Sequence, residues 1–240
     1  FSKFSEPDPE SGYTLDDNAR ALINMALYQK VHPNDVNLKL ANTYLSFIEG
    51  IQQDNGWFNN YKDFDHELTK QNGEVNLEDA NGRALWSLGT VIGHTNSLPE
   101  DLVNRAEICW DKAIERIDDI LSPRAIAYSL KGLYNYYSTH KEDSVKKNIE
   151  RLADKLLHHY NINSDESWCW YEDYMTYANN VLPEAMLFSF LATGDLKYKK
   201  IALTTFDFLL SHYFMKGELS VISNRGWFVK GEKKHAYGEQ

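Results

Sequence analysis

Apolar residues recur at spacings of three and four through most of the chain, from residue 17 to residue 213. This spacing is typical of amphipathic helices, since strands place apolar residues at every second position. The pattern and the turns that interrupt it predict eight helices, followed by a tail that forms a short strand pair or loop. The predicted helices are Asp17–Val31, Asp35–Gln53, Leu77–Ile92, Pro99–Leu121, Pro123–Tyr137, Asp143–Tyr160, Leu182–Ala192 and Leu196–Tyr213.

The connections between these helices differ in length and chemistry. Two of them, residues 54–73 and 161–180, are long and combine aromatic with polar side chains, whereas others are short polar turns. Loops longer than about twelve to fifteen residues are uncommon unless they contribute to a site. Consecutive helix pairs predict either an open solenoid or a closed toroid, and the unequal loops favour the toroid.

The composition is that of a globular protein and disfavours some functions. Hydrophobic residues make up 42% and charged residues 25% of the 240 residues, which is enough for a buried core. The formal net charge of −10 disfavours nucleic acid and anionic membranes, because their phosphates carry the same sign. No apolar run reaches the roughly eighteen residues of a membrane span. We therefore expect no nucleic-acid partner, no membrane partner and a cytoplasmic location.

The first predicted helix begins with acids, an amide and an arginine, in the segment GYTLDDNARALI. One aspartate is enough to cap a helix, because it accepts backbone N–H groups at the positive end of the helix dipole. Asp16, Asp17, Asn18 and Arg20 exceed that need. Arg20 lies three positions after Asp17, so the two side chains share a helix face and can form an ion pair. Capping with local pairing and a cluster that faces a ligand both remain open.

A second segment, NLEDANGRALW, repeats this arrangement at the start of the third predicted helix. It contains Glu78, Asp79, Asn81 and Arg83. Gly82 interrupts the helix at a cost of roughly 1 kcal/mol relative to alanine, so we expect another backbone or a ligand to approach closely there. The repetition favours a role of these acids in a site over coincidence.

A third cluster places acids between aromatic side chains ahead of the seventh helix. Glu172 and Asp173 follow Trp168 and Trp170, and Asn179 comes shortly before the helix. Apolar surroundings raise the pKa of a carboxyl group toward the range of a general acid. The alternative is an aromatic plug that closes the end of the helix.

A fourth, weaker cluster in the tail is the segment SNRGWF, which combines Asn224 and Arg225 with Trp227. Motifs for other chemistries are missing from the sequence: it has no HExxH, no Cys/His quartet, no glycine-rich phosphate loop and no GxSxG. Cys109 and Cys169 have no metal-binding spacing, and we expect free thiols, with a disulfide as the open alternative. We therefore expect no metal and no cofactor.

With these segments in view, the chain resembles the (α/α)-toroid glycosidase-like domains of the six-hairpin superfamily that occur near, or fused to, glycosyltransferases. The resemblance rests on Gly12–Leu22, Glu78–Gly89, Trp168–Met186 and Gly238–Gln240, and it extends over nearly all 240 residues. It implies an all-α fold, an (α/α) toroid of helical hairpins. It also implies a carbohydrate partner and an association with a glycosyltransferase domain or protein.

A complete toroid of this kind has about twelve helices, whereas the sequence predicts eight. We therefore expect one domain over residues 1–240 that forms an incomplete (α/α)6 ring, truncated at its C-terminal end.

Glycoside hydrolysis is the first functional hypothesis, because it needs two carboxyl groups and the clusters supply acids from separate helix pairs. Asp17, Asp79 and Glu172 are the expected catalytic residues, with Glu172 as the general acid. Epimerisation or isomerisation of a sugar and non-catalytic carbohydrate binding are the alternatives. The expected substrate-binding residues are Asp16, Asn18, Arg20, Glu78, Asn81, Arg83, Trp168, Trp170, Asp173, Asn179, Asn224, Arg225 and Trp227.

Overall fold

A computed structural model describes residues 2–3, 6–215 and 217–235. Within these residues the fold is all-α, and every strand is only two residues long. Gly238–Gln240, the last segment of the resemblance, lies outside the described residues. The helices are α1 (Leu15–Val31), α2 (Asp35–Glu49), α3 (Glu78–Ile92), α4 (Glu100–Ile114), α5 (Pro123–Thr139), α6 (Asp143–Asn163), α7 (Val181–Thr193) and α8 (Leu196–Tyr213).

The helices group into two compact units. The first unit, Phe1–Glu142, contains α1 to α5, and the second, Asp143–Gln240, contains α6 to α8. The single domain expected from the sequence stays a prediction.

All eight predicted helices are present, but two of them end earlier than expected. Helix α2 ends at Glu49 because Gly50 follows it and the chain then turns, so that Gln52 forms a β-bridge with Phe58. Helix α4 ends at Ile114, and the residues after it tighten into a 3-10 turn at Ile117–Asp119.

Short antiparallel strand pairs fasten the connections between the helices. The pair formed by β3 and β4 joins the segment before α1 to the long loop after α2. The two strands of the tail, β7 and β8, pair with β6 and β5 outside it rather than with each other. The strands are β1 (Ser2–Lys3), β2 (Glu6–Pro7), β3 (Tyr13–Thr14), β4 (Tyr61–Lys62), β5 (Tyr174–Met175), β6 (Phe214–Met215), β7 (Glu218–Leu219) and β8 (Phe228–Val229), paired β1–β2, β3–β4, β5–β8 and β6–β7.

Helix α3 forms the centre of the first unit, where it packs against α1, α4 and α5. Its contact with α5 is close because glycines replace larger residues at the crossing. A Cβ atom on Gly82 would lie 2.6 Å from the carbonyl oxygen of Ala125, and Gly89 faces Gly132 of α5 in the same way. The close approach expected at Gly82 is therefore made by another helix backbone.

The second unit packs α7 against α6 and α8 around an aromatic core. Trp170 and Tyr171 are fully buried in this unit, and the Tyr171 hydroxyl lies 3.0 Å from Thr205 Oγ1 of α8. Lys230 fastens the tail to the loop after α6, since its ammonium group donates to Asn163 O at 2.6 Å and pairs with Asp165 at 2.7 Å.

Candidate functional site

The starts of α1 and α3 are joined by an ion pair between two residues of the repeated motif. Arg83 Nη1 donates to Asp16 Oδ1 at 2.5 Å, across 67 positions of sequence. The Arg83 side chain is 11% exposed and the Asp16 side chain 24% exposed, so the pair lies at the edge of the core rather than in bulk solvent. A guanidinium so nearly buried needs a charged partner, and Asp16 supplies it.

The same guanidinium also binds a phenol from α5. Arg83 Nη2 donates to Tyr128 Oη at 2.8 Å, and Arg83 Cζ lies 4.4 Å from the centroid of the Tyr128 ring. Burial raises the pKa of Tyr128, and the neighbouring Arg83 charge opposes that rise. Tyr128 is therefore a neutral phenol whose oxygen accepts from Arg83, so its own proton is not used in that hydrogen bond.

Two aromatic rings and two cations interleave beside this pair. The Trp86 and Tyr128 rings are nearly parallel, with an interplanar angle of 7° and centroids 5.9 Å apart. Lys131 Nζ lies 3.6 Å from the Trp86 ring centroid. Arg83 and Trp86 are three residues apart on α3, as Tyr128 and Lys131 are on α5, so each pair shares a helix face. We call Asp16, Arg83, Trp86, Tyr128 and Lys131 the Arg83 cluster.

The exposed side of the Arg83 cluster carries a second arginine with two acids. Arg20 Nη2 donates to Asp16 Oδ2 at 3.1 Å and to Asp17 Oδ1 at 2.5 Å. Thr14, rather than an aspartate, caps α1, since its hydroxyl accepts from the backbone N–H of Asp17. Asn18 Nδ2 donates to the Thr14 carbonyl at 2.8 Å. Local pairing is therefore present here, while the capping role falls to the residue before the acids.

The motif residues at the start of α3 bind mainly to the chain around them. Glu78 Oε2 accepts the backbone N–H groups of Leu121 and Ser122, at 2.7 and 2.6 Å, and so holds the segment that enters α5. Asp79 Oδ1 accepts the Ser122 hydroxyl at 2.7 Å. The buried Asn81 side chain exchanges two hydrogen bonds with the backbone of Phe58.

Two asparagines in the long loop after α2 position the first turn of α1. Asn60 Oδ1 accepts the backbone N–H of Asp16 at 3.1 Å, and Asn60 O accepts that of Leu15 at 2.8 Å. Asn72 Oδ1 in turn accepts the N–H groups of Asn60 and Tyr61. The loop predicted to contribute to a site thus fixes the backbone that carries Asp16.

The third sequence cluster lies in the second unit, and much of it is core. Glu172 is buried, and its carbonyl accepts the Trp168 indole N–H at 2.6 Å. The Trp168 ring packs edge-on against Phe228 with centroids 5.2 Å apart, and Trp170 is fully buried. Asn179 is buried and bonds to both backbone groups of Thr176.

The remaining predicted residues are at the surface of the second unit. Asp173 is exposed, and its carbonyl accepts the backbone N–H of Lys230. Asn224 and Arg225 are exposed in the turn before β8, and Trp227 is partly exposed. The structure therefore brings Asp16, Arg20 and Arg83 together in the first unit, while a common pocket for Asp17, Asp79 and Glu172 stays a prediction.

The described residues contain no group of three or more His, Cys, Asp or Glu side chains arranged to hold a metal ion. Among the described helices, none combines the length and apolar character that spanning a bilayer requires. Both cysteines are free, with Cys109 buried and Cys169 partly exposed.

Solved structures of three sugar-converting enzymes are similar to this chain. A cellobiose 2-epimerase from Bacillus thermoamylovorans B4167 superimposes with a TM-score of 0.66 at 14% identity, over 87% of this chain and 63% of that chain. A D-mannose isomerase gives a TM-score of 0.69 at 10% identity, over 91% and 66%. A GH127 β-L-arabinofuranosidase from Geobacillus stearothermophilus T6 gives 0.57 at 14%, over 94% and 41%. The likeness is one of fold.

The expected fold class, an all-α arrangement of helical hairpins of the (α/α)-toroid type, is therefore confirmed. The chain spans less than two thirds of the length of the epimerase and of the isomerase. No protein-family model matches the chain, and no curated protein matches its sequence.

Sequence reasoning missed three members of the Arg83 cluster: Trp86, Tyr128 and Lys131. Trp86 stands three positions after Arg83 in a motif that was otherwise singled out. Tyr128 and Lys131 show the same spacing in α5, whose apolar run also contains Gly132. In each of these two glycine-containing helices, a charged and an aromatic residue stand three positions apart. This shared spacing is the sequence feature that could have identified the cluster.

Proposed function

We propose that this protein is a carbohydrate-active enzyme that binds its substrate at the Arg83 cluster. The observation that carries the proposal is the guanidinium of Arg83, which holds Asp16 of α1 and Tyr128 of α5 at the same time. Groups from three helices, the Asp16 carboxylate of α1, the Arg83 guanidinium of α3 and the Tyr128 phenol of α5, are thereby held in one place before a substrate binds.

The chemistry of the cluster suits a sugar. Carboxylate oxygens have lone pairs beyond those used by arginine, so Asp16 and Asp17 can accept hydrogen bonds from sugar hydroxyls. Trp86 has an apolar face and a polar edge, the combination with which aromatic side chains bind sugar rings. The three similar solved structures are those of sugar-converting enzymes, which agrees with this assignment.

Glycoside hydrolysis is the reaction that we propose first. It requires one carboxyl group as acid and a second as base or nucleophile. Asp79 is partly exposed at the start of α3, where Ser122 orients it, and it is our candidate base. Asp17 and Glu172 stay the other catalytic residues that the sequence predicts, with Glu172 as the general acid, and Asp16 is assigned to substrate binding.

Epimerisation or isomerisation of a sugar is the second candidate. A cellobiose 2-epimerase and a D-mannose isomerase are among the solved structures of similar fold. These reactions move a proton next to a carbonyl group and leave the glycosidic bond intact. Association with a glycosyltransferase stays a prediction.

The test is to incubate the purified protein with a panel of oligosaccharides and free aldoses and to resolve the products by anion-exchange chromatography. New shorter saccharides indicate hydrolysis, and new isomers of unchanged length indicate epimerisation or isomerisation. The variants are Arg83→Met, Asp79→Asn and Glu172→Gln. We expect Arg83→Met to abolish either activity, and Asp79→Asn and Glu172→Gln each to reduce hydrolysis at least a hundredfold.

Arg105→Met provides the matched control. Arg105 makes the same kind of ion pair with Glu49, at 2.5 Å between α4 and α2, two helices that carry no candidate site residue. This variant therefore shows the effect of losing an arginine–carboxylate pair while the Arg83 cluster stays intact. The proposal fails if no saccharide is bound or converted, or if Arg105→Met and Arg83→Met lower activity equally while both remain folded.

A further inference from the structure

Two non-glycine residues in the left-handed region flank one strand pair of the second unit. Ala178 has a φ of 46° and follows β5, while Trp227 has a φ of 50° and precedes β8. The two strands pair antiparallel, with Met175 opposite Phe228, so these residues lie at the same end of the pair. Residues with side chains rarely adopt this conformation, and where they do, the surrounding structure enforces it.

Two aromatic rings lie at the surface next to these positions, those of Tyr177 and Trp227. Tyr177, directly before Ala178, is 41% exposed, and Trp227 is partly exposed. The ring centroids are 6.4 Å apart and the rings are inclined at 47°, so the pair forms an open angle rather than a flat stack. Trp170 and Tyr171 are buried in the core of this unit, whereas Tyr177 and Trp227 lie at its surface, as Tyr174, Phe206 and Phe214 also do.

The strand pair that carries the rings is firmly anchored. Phe228, the residue after Trp227, is buried against Trp168, and Lys230 N–H donates to the Asp173 carbonyl at 2.7 Å. Asn179 accepts the N–H of Thr176 and so holds the turn that contains Tyr177. The rings therefore project from a rigid base, which lowers the entropy lost when a ligand binds.

Hydrogen-bonding side chains accompany the rings. Asn224 and Arg225 are exposed in the turn that leads to Trp227, and the buried Ser223 orders this turn by accepting the Arg225 N–H at 3.0 Å. An amide and a guanidinium next to aromatic faces can bind hydroxyl groups while the rings contact the apolar face of a sugar.

We propose that Tyr177 and Trp227 form an aromatic platform that binds a sugar ring of an oligosaccharide, with Asn224 and Arg225 bonding to its hydroxyls. This inference rests on the proposed function, because it names a sugar-binding subsite within the second unit. It adds Tyr177, which sequence reasoning left aside, and gives Trp227 a partner.

The test measures saccharide binding by isothermal titration with cellobiose, mannobiose and arabinobiose, and by mobility in gels that contain soluble glucomannan or arabinan. The variants are Trp227→Ala, Tyr177→Ala and the ring-conserving Trp227→Phe. Tyr28→Ala is the control, since Tyr28 is a 49% exposed tyrosine of α1 that packs against His32. All replaced rings are at least partly exposed, so the variants should fold, which near-ultraviolet circular dichroism checks.

We expect each alanine variant of the platform to weaken binding about tenfold, Trp227→Phe to stay within about threefold, and Tyr28→Ala to match the wild type. If Trp227→Ala and Tyr177→Ala bind like the wild type while Arg83→Met has lost activity, the platform is refuted and the proposed function stands. If the wild type binds none of the probes at millimolar concentration and converts no saccharide, both fall.

Discussion

Replacing Gly82 with alanine tests whether the contact between α3 and α5 maintains the candidate site. A Cβ atom at this position would lie 2.6 Å from the carbonyl oxygen and 2.8 Å from the Cα atom of Ala125. Both are backbone atoms, so no side-chain rotation relieves the overlap. Ordinary van der Waals contact begins near 3.4 Å, so the helices must separate by roughly 0.8 Å (3.4 minus 2.6) at this point.

Two opposing effects determine the magnitude. Alanine favours a helix over glycine by about 1 kcal/mol, which would stabilise the fold if there were room for the methyl group. Overpacking a well-packed contact costs about 1–3 kcal/mol. We expect the packing term to exceed the propensity term, with a net loss of about 1–2 kcal/mol in the free energy of unfolding. Arg83 follows Gly82 directly, so the 2.8 Å hydrogen bond from Arg83 to Tyr128 should lengthen as well.

The assay is urea unfolding of the wild type, Gly82→Ala and the control Gly73→Ala, followed by tryptophan fluorescence. A Cβ atom on Gly73 would meet no atom within 4 Å, so its replacement should be neutral or stabilising by up to about 1 kcal/mol. Near-ultraviolet circular dichroism reports on the Trp86–Tyr128 stack. A Gly82→Ala variant as stable as Gly73→Ala, with an unchanged spectrum, would show that the tight crossing is unimportant.

Two further predictions concern the stability contributed by a carboxylate that accepts backbone hydrogen bonds and by a buried thiol. Glu78→Ala should lower the free energy of unfolding by about 1–2 kcal/mol because the N–H groups of Leu121 and Ser122 lose their acceptor. Glu78→Gln keeps an acceptor oxygen and should retain most of the wild-type stability. Equal losses of stability in the two variants, measured by urea unfolding, would contradict this role of Glu78. Burial raises the pKa of the Cys109 thiol from 9.0 to about 11, so the stability that the protonated thiol contributes is complete below pH 9 and declines as the pH rises toward 11. Replacing the thiol in Cys109→Ala should remove the part of the alkaline loss of stability that the thiol causes. Identical pH profiles of stability for the wild type and Cys109→Ala would refute this prediction.

The helices could be predicted from the sequence, but the site could be predicted only in part. A period of three to four is a local property, so it identifies α1 to α8 without knowledge of their partners. The Arg83 cluster depends on the register between α3 and α5, which Gly82, Gly89 and Gly132 set by allowing two backbones to touch. No local pattern states which residue of α5 lies opposite Arg83, and Tyr128 was therefore missed.

The repeated acids at the helix starts have a structural explanation that limits how their mutants can be interpreted. Asp16 at the start of α1 binds Arg83 of α3, and Glu78 and Asp79 at the start of α3 bind Ser122 at the entry to α5. Acids at the start of α1 thus hold α3, and acids at the start of α3 hold the entry to α5. A substitution at any of them alters packing as well as charge. Loss of activity in such a variant is evidence for a chemical role only where the stability of the protein is retained. Asp17 is the acid best suited to this test, because its side chain is 66% exposed and it bonds to Arg20 and Thr14 at the same end of α1.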